Sequence, residues 1–286
     1  MNGNLPLLLL SVLLSSGRNI LSKRIALGGR EKTSFFLSQG VLFTTATLLL
    51  ASCQSLTEAS LSPTALWLGL LYGMLLLSSQ WLYTLALQGG STAVCSTVYA
   101  LGFLLPTLSG VLFWEEAFTL TDGIGLILAL VIILLSARKD EPKQQNANRF
   151  LPFLLVAMLS SGGLGILQKV QQTSAAAEQS GHFLLVAFSL AAVCSLVAFF
   201  TCRQPLRICK TNTLYPALAG LCFGGANLCN TLLAGRMRSA AFFPLQNIST
   251  ILLSVVLGII LFRERLNRRT IVIILLGVAV VLLFSR

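Results

Sequence analysis

The chain has 286 residues, of which 55% are apolar and only 10% are charged, and its mean hydropathy is +0.84. Soluble domains carry about 25% charged residues, so this composition excludes a soluble protein and indicates an integral membrane protein. The net charge of +11 is therefore expected to reflect membrane topology, and no nucleic-acid partner is predicted.

Ten apolar segments follow one another along the chain, each close to the roughly 17 to 25 residues that a helix needs to cross about 30 Å of hydrocarbon. We predict membrane-spanning helices at 5–22, 34–52, 65–87, 92–113, 119–137, 151–168, 183–201, 215–234, 241–262 and 270–284. The leucine run that begins at Leu5 has no basic residues before it, which argues against a signal peptide. The cysteines show no metal-ligand spacing, so no metal site, disulfide framework or cofactor is predicted.

The first and sixth segments are copies of one another. Residues 5–23 and 151–169 align without a gap and share 10 identities in 19 positions. Two more motif pairs recur at nearly the same shift: Gly69-x-x-x-Gly73 with Gly220-x-x-x-Gly224, and Phe113-Trp114-Glu115 with Phe262-Arg263-Glu264. We therefore predict an all-α fold of two five-helix repeats, 1–137 and 150–286, joined by a polar linker at 138–149. Because five is an odd number, the second repeat is inverted in the membrane, as in many secondary transporters.

The basic residues lie mostly on one predicted side of the membrane. That side holds fifteen lysines and arginines, among them Lys23, Arg149 and Arg265, and the other side holds only Lys169, Arg236, Arg238 and Arg286. The positive-inside rule makes the basic side cytoplasmic, so both termini are predicted to be non-cytoplasmic.

The fourth segment reads STVYALGFLLP from Ser96 to Pro106 and ends at Phe113-Trp114-Glu115, and the fifth opens with Asp122-Gly123-x-Gly125. Together with ten segments in two repeats, these motifs make the chain resemble the EamA-like branch of the drug/metabolite transporter superfamily. The resemblance implies a central cavity formed by the first four helices of each repeat, with the fifth and tenth helices peripheral, and transport by alternating access. It also implies a transporter rather than an enzyme.

Arg18 is the one charged residue clearly inside a predicted span. A charge in hydrocarbon costs about 2.5 to 3.5 kcal/mol on insertion scales, so it usually faces a cavity. Arg18 is thus a candidate substrate ligand, or else it extends to the membrane interface. Lys23 and Lys169 occupy matching helix ends and are candidate ligands or interface anchors.

Polar and aromatic side chains on the helices that the resemblance places around the cavity complete the predicted substrate site. They are Gln39, Gln80, Trp81, Tyr99, Asn227, Asn230 and Gln246. Each amide could instead form a helix-to-helix hydrogen bond worth about 1 kcal/mol. Pro106 frees a carbonyl one turn back, so Gly102 and Pro106 are predicted to form a hinge.

The nine acidic residues all lie in loops or at span ends, which disfavours a proton antiporter for cationic drugs. The buried positive charge favours a small polar metabolite that bears a carboxylate or phosphate. We therefore predict a secondary transporter, acting as exporter, exchanger or facilitator, in a bacterial inner membrane, as a monomer or homodimer. A lipid-headgroup flippase of the same fold is the alternative. An intramembrane enzyme is remote, since no catalytic constellation can be assembled.

Overall fold

The protein is described by a computed structural model at residues 3–26, 32–54, 61–89, 95, 98–137, 147–202, 210–262 and 268–284. Within these residues the chain is all-helical. The ten α-helices there, in chain order, are α1 Leu5–Ala26, α2 Lys32–Gln54, α3 Pro63–Gly89, α4 Leu104–Phe113, α5 Leu120–Ala137, α6 Ala147–Thr173, α7 Ser180–Thr201, α8 Leu214–Arg236, α9 Ser239–Phe262 and α10 Arg268–Phe284. Short 3-10 helices, Leu101–Phe103 and Ala177–Gln179, precede α4 and α7.

Each predicted segment coincides with one helix. Apart from the fourth segment, the observed ends lie within five residues of the predicted ones. The fourth is described as an apolar helical run, Val98–Phe113, that the 3-10 turn interrupts. Most of its predicted beginning, 92–97, falls outside the described residues.

Seven of the described helices are long and apolar enough to cross a membrane. At 1.5 Å per residue, a helix of about 20 residues matches the hydrocarbon thickness of about 30 Å. The described residues contain three shorter apolar helices, Val98–Phe113, Leu120–Leu135 and Ile271–Leu283, at the fourth, fifth and tenth predicted positions. The protein is therefore an integral membrane protein, and crossing by the three shorter helices remains a prediction.

The chain divides into two compact units. Unit A comprises the described residues of Leu75–Val170 and Leu233–Arg286, and unit B comprises those of Gly3–Met74 and Gln171–Leu232. Each unit takes helices from both halves of the sequence. Of the predicted linker, residues 138–146 lie outside the described residues, and α6 begins at Ala147.

Glycines bring the helices of unit B together. A Cβ atom at Gly69 would lie 2.7 Å from the Phe183 carbonyl oxygen, and one at Gly73 would lie 2.8 Å from the Ala187 carbonyl oxygen. The Gly69-x-x-x-Gly73 motif therefore packs α3 directly on the backbone of α7, and the close approach requires glycine.

The Gly220-x-x-x-Gly224 motif likewise packs α8 directly on the backbone of α2. A Cβ atom at Gly220 would overlap the Leu42 carbonyl oxygen, and one at Gly224 would lie 3.2 Å from the Ala46 Cβ. The Thr45 hydroxyl donates across this contact to the carbonyl of Ala217 at 3.1 Å. Both motifs are thus used within one chain.

Unit A pairs α4 with α9 and α5 with α10. The turn before α4 crosses α6 closely, because a Cβ atom at Gly102 would lie 2.8 Å from the Met158 carbonyl oxygen and 3.2 Å from the Gly162 nitrogen. One turn further along α6, Gly165 leaves room for the Pro106 ring.

Candidate functional site

Polar residues recur at helical spacing on α1 and α8. Ser11 and Arg18 are seven residues apart on α1, and Asn227 and Asn230 are three residues apart on α8, with Phe223 one turn before Asn227. Residues at these spacings lie on the same face of a helix, so each helix carries a polar stripe.

The two stripes meet within unit B. The Arg18 guanidinium carbon lies 3.7 Å from the centre of the Phe223 ring, and the Ser11 hydroxyl donates a hydrogen bond to Asn230 Oδ1. Residue numbers rise along α1 as they fall along α8, so the two helices run antiparallel here. The contact with Phe223 lets a charged side chain sit inside an apolar segment, since a desolvated cation over an aromatic face is stabilised by about 2 kcal/mol.

Tyr72 of α3 adds a third element to this site. Its hydroxyl donates to Asn227 Oδ1 at 2.6 Å, and Asn227 Nδ2 donates to the Phe223 carbonyl at 2.9 Å. Tyr72 is 1% exposed and Asn227 is 7% exposed. We call Ser11, Arg18, Tyr72, Phe223, Asn227 and Asn230 the polar cluster.

An aromatic core holds the ring on which Arg18 rests. Phe223 packs against Phe188, with ring centres 5.3 Å apart, and against Phe43, with ring centres 6.5 Å apart. Phe43 and Phe188 are completely buried, so Phe223 has little freedom to move. The position of the arginine charge is therefore set by packing on α2, α7 and α8.

Gln39 of α2 also belongs to unit B. Its Oε1 atom is buried, and no hydrogen-bond partner for it is found in the described part of the chain. A buried amide oxygen without a donor costs about 1 to 3 kcal/mol, which keeps Gln39 a candidate ligand for a hydroxyl-bearing solute. For Lys23, the backbone belongs to α1, but its side chain lies outside the described residues.

The candidates Gln80, Trp81, Tyr99 and Gln246 lie in unit A. Tyr99 stacks with Tyr83, whose ring centre is 4.5 Å away, and its hydroxyl lies 2.7 Å from the Ser79 hydroxyl. Gln80 and Trp81 are half-buried and Gln246 is buried. The cluster of Tyr83, Tyr99 and Ser79 offers aromatic faces and hydroxyls, which suit a polar solute with an apolar face.

Gly102 and Pro106 flank the change from 3-10 to α geometry at Leu104, which is where a proline would disturb the helix. Both residues are buried, and both pack on the glycine face of α6. Packing thus gives a sufficient reason for glycine at 102, and the predicted hinge stays a prediction.

Lys169 lies in the last turns of α6, which extends to Thr173. Its Nζ forms an ion pair of 2.7 Å with Glu116 Oε1, and the two side chains are only 9% and 10% exposed. Glu116 was expected to lie in a loop or at a span end, and no partner was predicted for it. The signal that could have found this pair was the concentration of acids in the segment 115–122.

The described residues contain no group of three or more histidine, cysteine, aspartate or glutamate side chains that could hold a metal ion. The polar cluster provides a guanidinium, a phenol, two amides and an aromatic face. These groups are suited to binding a polar solute.

Comparison with known proteins supplies the context for this site. A family model described as "Sugar transport protein" matches residues 26–285. The comparison with curated proteins finds no match. Among solved structures, one described only as the crystal structure of a protein superposes with a TM-score of 0.79 at 15% identity, covering 99% of this chain and 96% of that chain. At that identity the likeness concerns the fold alone.

Proposed function

Because the chain belongs to the sugar transport protein family, a family of membrane transporters, we propose that it is a secondary transporter that moves a small polar metabolite across the membrane by alternating access. The EamA-like assignment is finer than this family and remains a prediction. Ten membrane crossings, an inverted second repeat and an inner-membrane location belong to the same proposal.

The packing supports a two-fold relation between the two repeats. α3 packs through Gly69 and Gly73 on α7, and α8 packs through Gly220 and Gly224 on α2. In the two repeats, α8 is the counterpart of α3 and α7 is the counterpart of α2. The contact of α3 with α7 is therefore the counterpart of the contact of α8 with α2. The pairs α2 with α7, α4 with α9 and α5 with α10 each join a helix to its own counterpart. Such reciprocal contacts are what a two-fold relation between repeats produces.

The substrate that we propose is a sugar derivative bearing a carboxylate or a phosphate. The observation that carries this choice is the Arg18 guanidinium over the Phe223 ring, beside the Tyr72–Asn227 hydrogen bond. Amide and phenol groups suit sugar hydroxyls, while a guanidinium matches a carboxylate or phosphate. The family description supports the sugar, and the arginine supports the anionic group.

Uptake into proteoliposomes tests the proposal, with glucose, glucuronate and glucose 6-phosphate as the solutes. We expect the wild-type protein to take up at least one of the two anions. Arg18→Ala should reduce that uptake at least about tenfold, as expected when a charge-assisted hydrogen bond of about 1.5 to 3 kcal/mol is lost. Arg18→Lys, which keeps the charge but not the planar fork, should fall between the two.

Arg24→Ala is the matched control, because Arg24 is exposed and lies on the same helix. Equal anion uptake by Arg18→Ala and wild type would remove Arg18 from the site. Uptake of glucose alone would keep the transporter and refute the anionic substrate. Translocation of a labelled phospholipid headgroup without uptake of any solute would favour the flippase.

A further inference from the structure

A buried charged network lies in unit A, apart from the polar cluster. Glu116 receives three contacts: the ion pair with Lys169 at 2.7 Å, the backbone N–H of Ser239 at 2.6 Å and the Ser239 hydroxyl at 3.2 Å. Lys169 Nζ also donates to the Met237 carbonyl at 3.3 Å. One carboxylate thus joins the end of α6 to the first residue of α9.

A second ion pair lies beside the first. Arg238 Nη1 lies 3.1 Å from Asp122 Oδ2 and donates to the Ala117 carbonyl at 2.8 Å. Asp122 is 2% exposed, and the same oxygen accepts from the Thr119 N–H at 2.9 Å and the Thr119 hydroxyl at 2.7 Å. Thr119, at the start of α5, therefore fixes the position of the Asp122 carboxylate independently of Arg238.

The local backbone directs Glu116 into this network. Glu115, the residue before it, has a left-handed conformation with φ of 51°, and the Glu116 N–H donates back to the Gly110 carbonyl at 3.2 Å. A Cβ atom at Gly110 would lie 2.5 Å from Glu116 Oε2. A non-glycine residue at positive φ is strained, and such strain is concentrated at functional sites.

The two signs of charge come from the two sequence repeats. Glu116 and Asp122 belong to residues 1–137, whereas Lys169 and Arg238 belong to residues 150–286. A buried ion pair contributes little net stability, because desolvation offsets most of its attraction, but removing one partner leaves a buried charge. Such a pair is therefore suited to joining two parts firmly in one state and releasing them in another.

The residues of the Glu116–Lys169 pair are not repeated at the matching positions of the other repeat. Lys169 corresponds to Lys23, and at the shift that relates Phe113 to Phe262, Glu116 corresponds to Arg265. The matching positions thus carry two residues of the same charge sign. Two residues of the same sign cannot form with each other an ion pair like that of Glu116 and Lys169.

We propose that Glu116, Asp122, Lys169 and Arg238 form a latch that holds the two repeats together at this face in the resting transporter and opens once in each transport cycle. This proposal rests on alternating access as the mechanism. By the charge bias of the loops, the latched face is the non-cytoplasmic one. Because the matching positions of the other repeat carry like charges, this latch biases the resting population towards closure on the non-cytoplasmic side.

The test is the reaction of a reporter cysteine with a membrane-impermeant maleimide. Thr107→Cys is a suitable reporter, because Thr107 is completely buried on α4 one turn before Gly110. In this background, Glu116→Gln and Lys169→Gln should each speed labelling about tenfold, through a shift in population towards the open state. The double variant should be labelled only slightly faster than either single variant, since both changes break the same ion pair.

Glu115→Gln is the matched control: it makes the same chemical change at the adjacent, exposed position, and it should leave the rate unchanged. The chain without Thr107→Cys gives the labelling of the native cysteines. Unchanged labelling in Glu116→Gln, or an equal increase in Glu115→Gln, would overturn the latch. If the buried variants do not elute as monodisperse protein, Arg238→Gln applies the same test, because that side chain is 46% exposed.

The labelling assay requires no substrate, so it separates this proposal from the proposed function. Faster labelling in the latch variants without uptake of any solute by the wild type would keep the latch and refute the proposed substrate. Normal solute uptake by the wild type, together with a labelling rate that the latch variants leave unchanged, would refute the latch and keep the proposed function.

Discussion

At the scale of single residues, charge and amide groups inside apolar helices are accommodated by specific partners. Arg18 rests on the Phe223 ring, and Asn227 binds both the Tyr72 hydroxyl and a backbone carbonyl of its own helix. In the hydrocarbon region there is no water to form hydrogen bonds with an unpaired polar group, so these contacts determine where the polar side chains can lie.

Tyr72→Phe tests how far the substrate site depends on one hydroxyl. The change leaves the packing with Phe183 in place but removes the donor to Asn227 Oδ1. We expect a loss of about 1 kcal/mol in unfolding free energy and a higher KM with little change in kcat, because Asn227 loses its orientation. Thermal unfolding and uptake kinetics measure the two effects. Tyr215→Phe, at the start of α8, is the control, and an unchanged KM in Tyr72→Phe would exclude this bond from the substrate site.

At the scale of helices, glycines decide which elements can touch. Gly220 and Gly224 bring α8 onto the backbone of α2, close enough for the Thr45 hydroxyl to reach the Ala217 carbonyl. Without a hydrophobic driving force between helices in lipid, such close packing and interhelical hydrogen bonds provide most of the association energy.

Gly220→Ala and Gly123→Ala form a matched pair of variants. At Gly220 the new methyl group would overlap backbone, so we expect a loss of about 1 to 3 kcal/mol and a Tm lower by several degrees. At Gly123 the nearest atom is 3.5 Å away, on the Phe118 ring, so alanine should be neutral or should stabilise α5 by about 0.5 to 1 kcal/mol. Thermal unfolding of the purified protein in detergent distinguishes them. Equal Tm values for the two variants would refute the packing explanation.

At the scale of the whole molecule, the proposed inverted repeats require both termini on one side and the linker on the other. We therefore expect a cysteine introduced at Lys143 to be protected from an impermeant maleimide in intact cells, and one at Arg286 to react. Both substitutions replace a basic residue outside the predicted spans, so they serve as controls for each other. The opposite pattern would reverse the orientation, and equal reaction at both sites would refute an odd number of crossings per repeat.

Much of the fold was predictable because it depends on local composition. The helix bounds followed from the apolar segments. The Gly-x-x-x-Gly spacing at Gly69 and Gly220 is also visible in the sequence, and this spacing lets helix backbones approach closely. The site was only partly predictable. Arg18 and Asn227 were expected as candidates, but Tyr72 and Phe223 were not, because an aromatic residue in an apolar helix has the same sequence signal whether it packs in a core or contacts a charge.

The sequence by itself determined that the chain is helical, apolar and built for a membrane, because the cost of placing each segment in hydrocarbon depends mainly on that segment's own residues. Only the tertiary structure decided the partners: Arg18 with Phe223, Tyr72 with Asn227, and Glu116 with Lys169. The members of each pair are far apart in the chain and come from different helices or loops. Their contacts depend on how helices dock, which no local pattern of apolar and polar residues specifies.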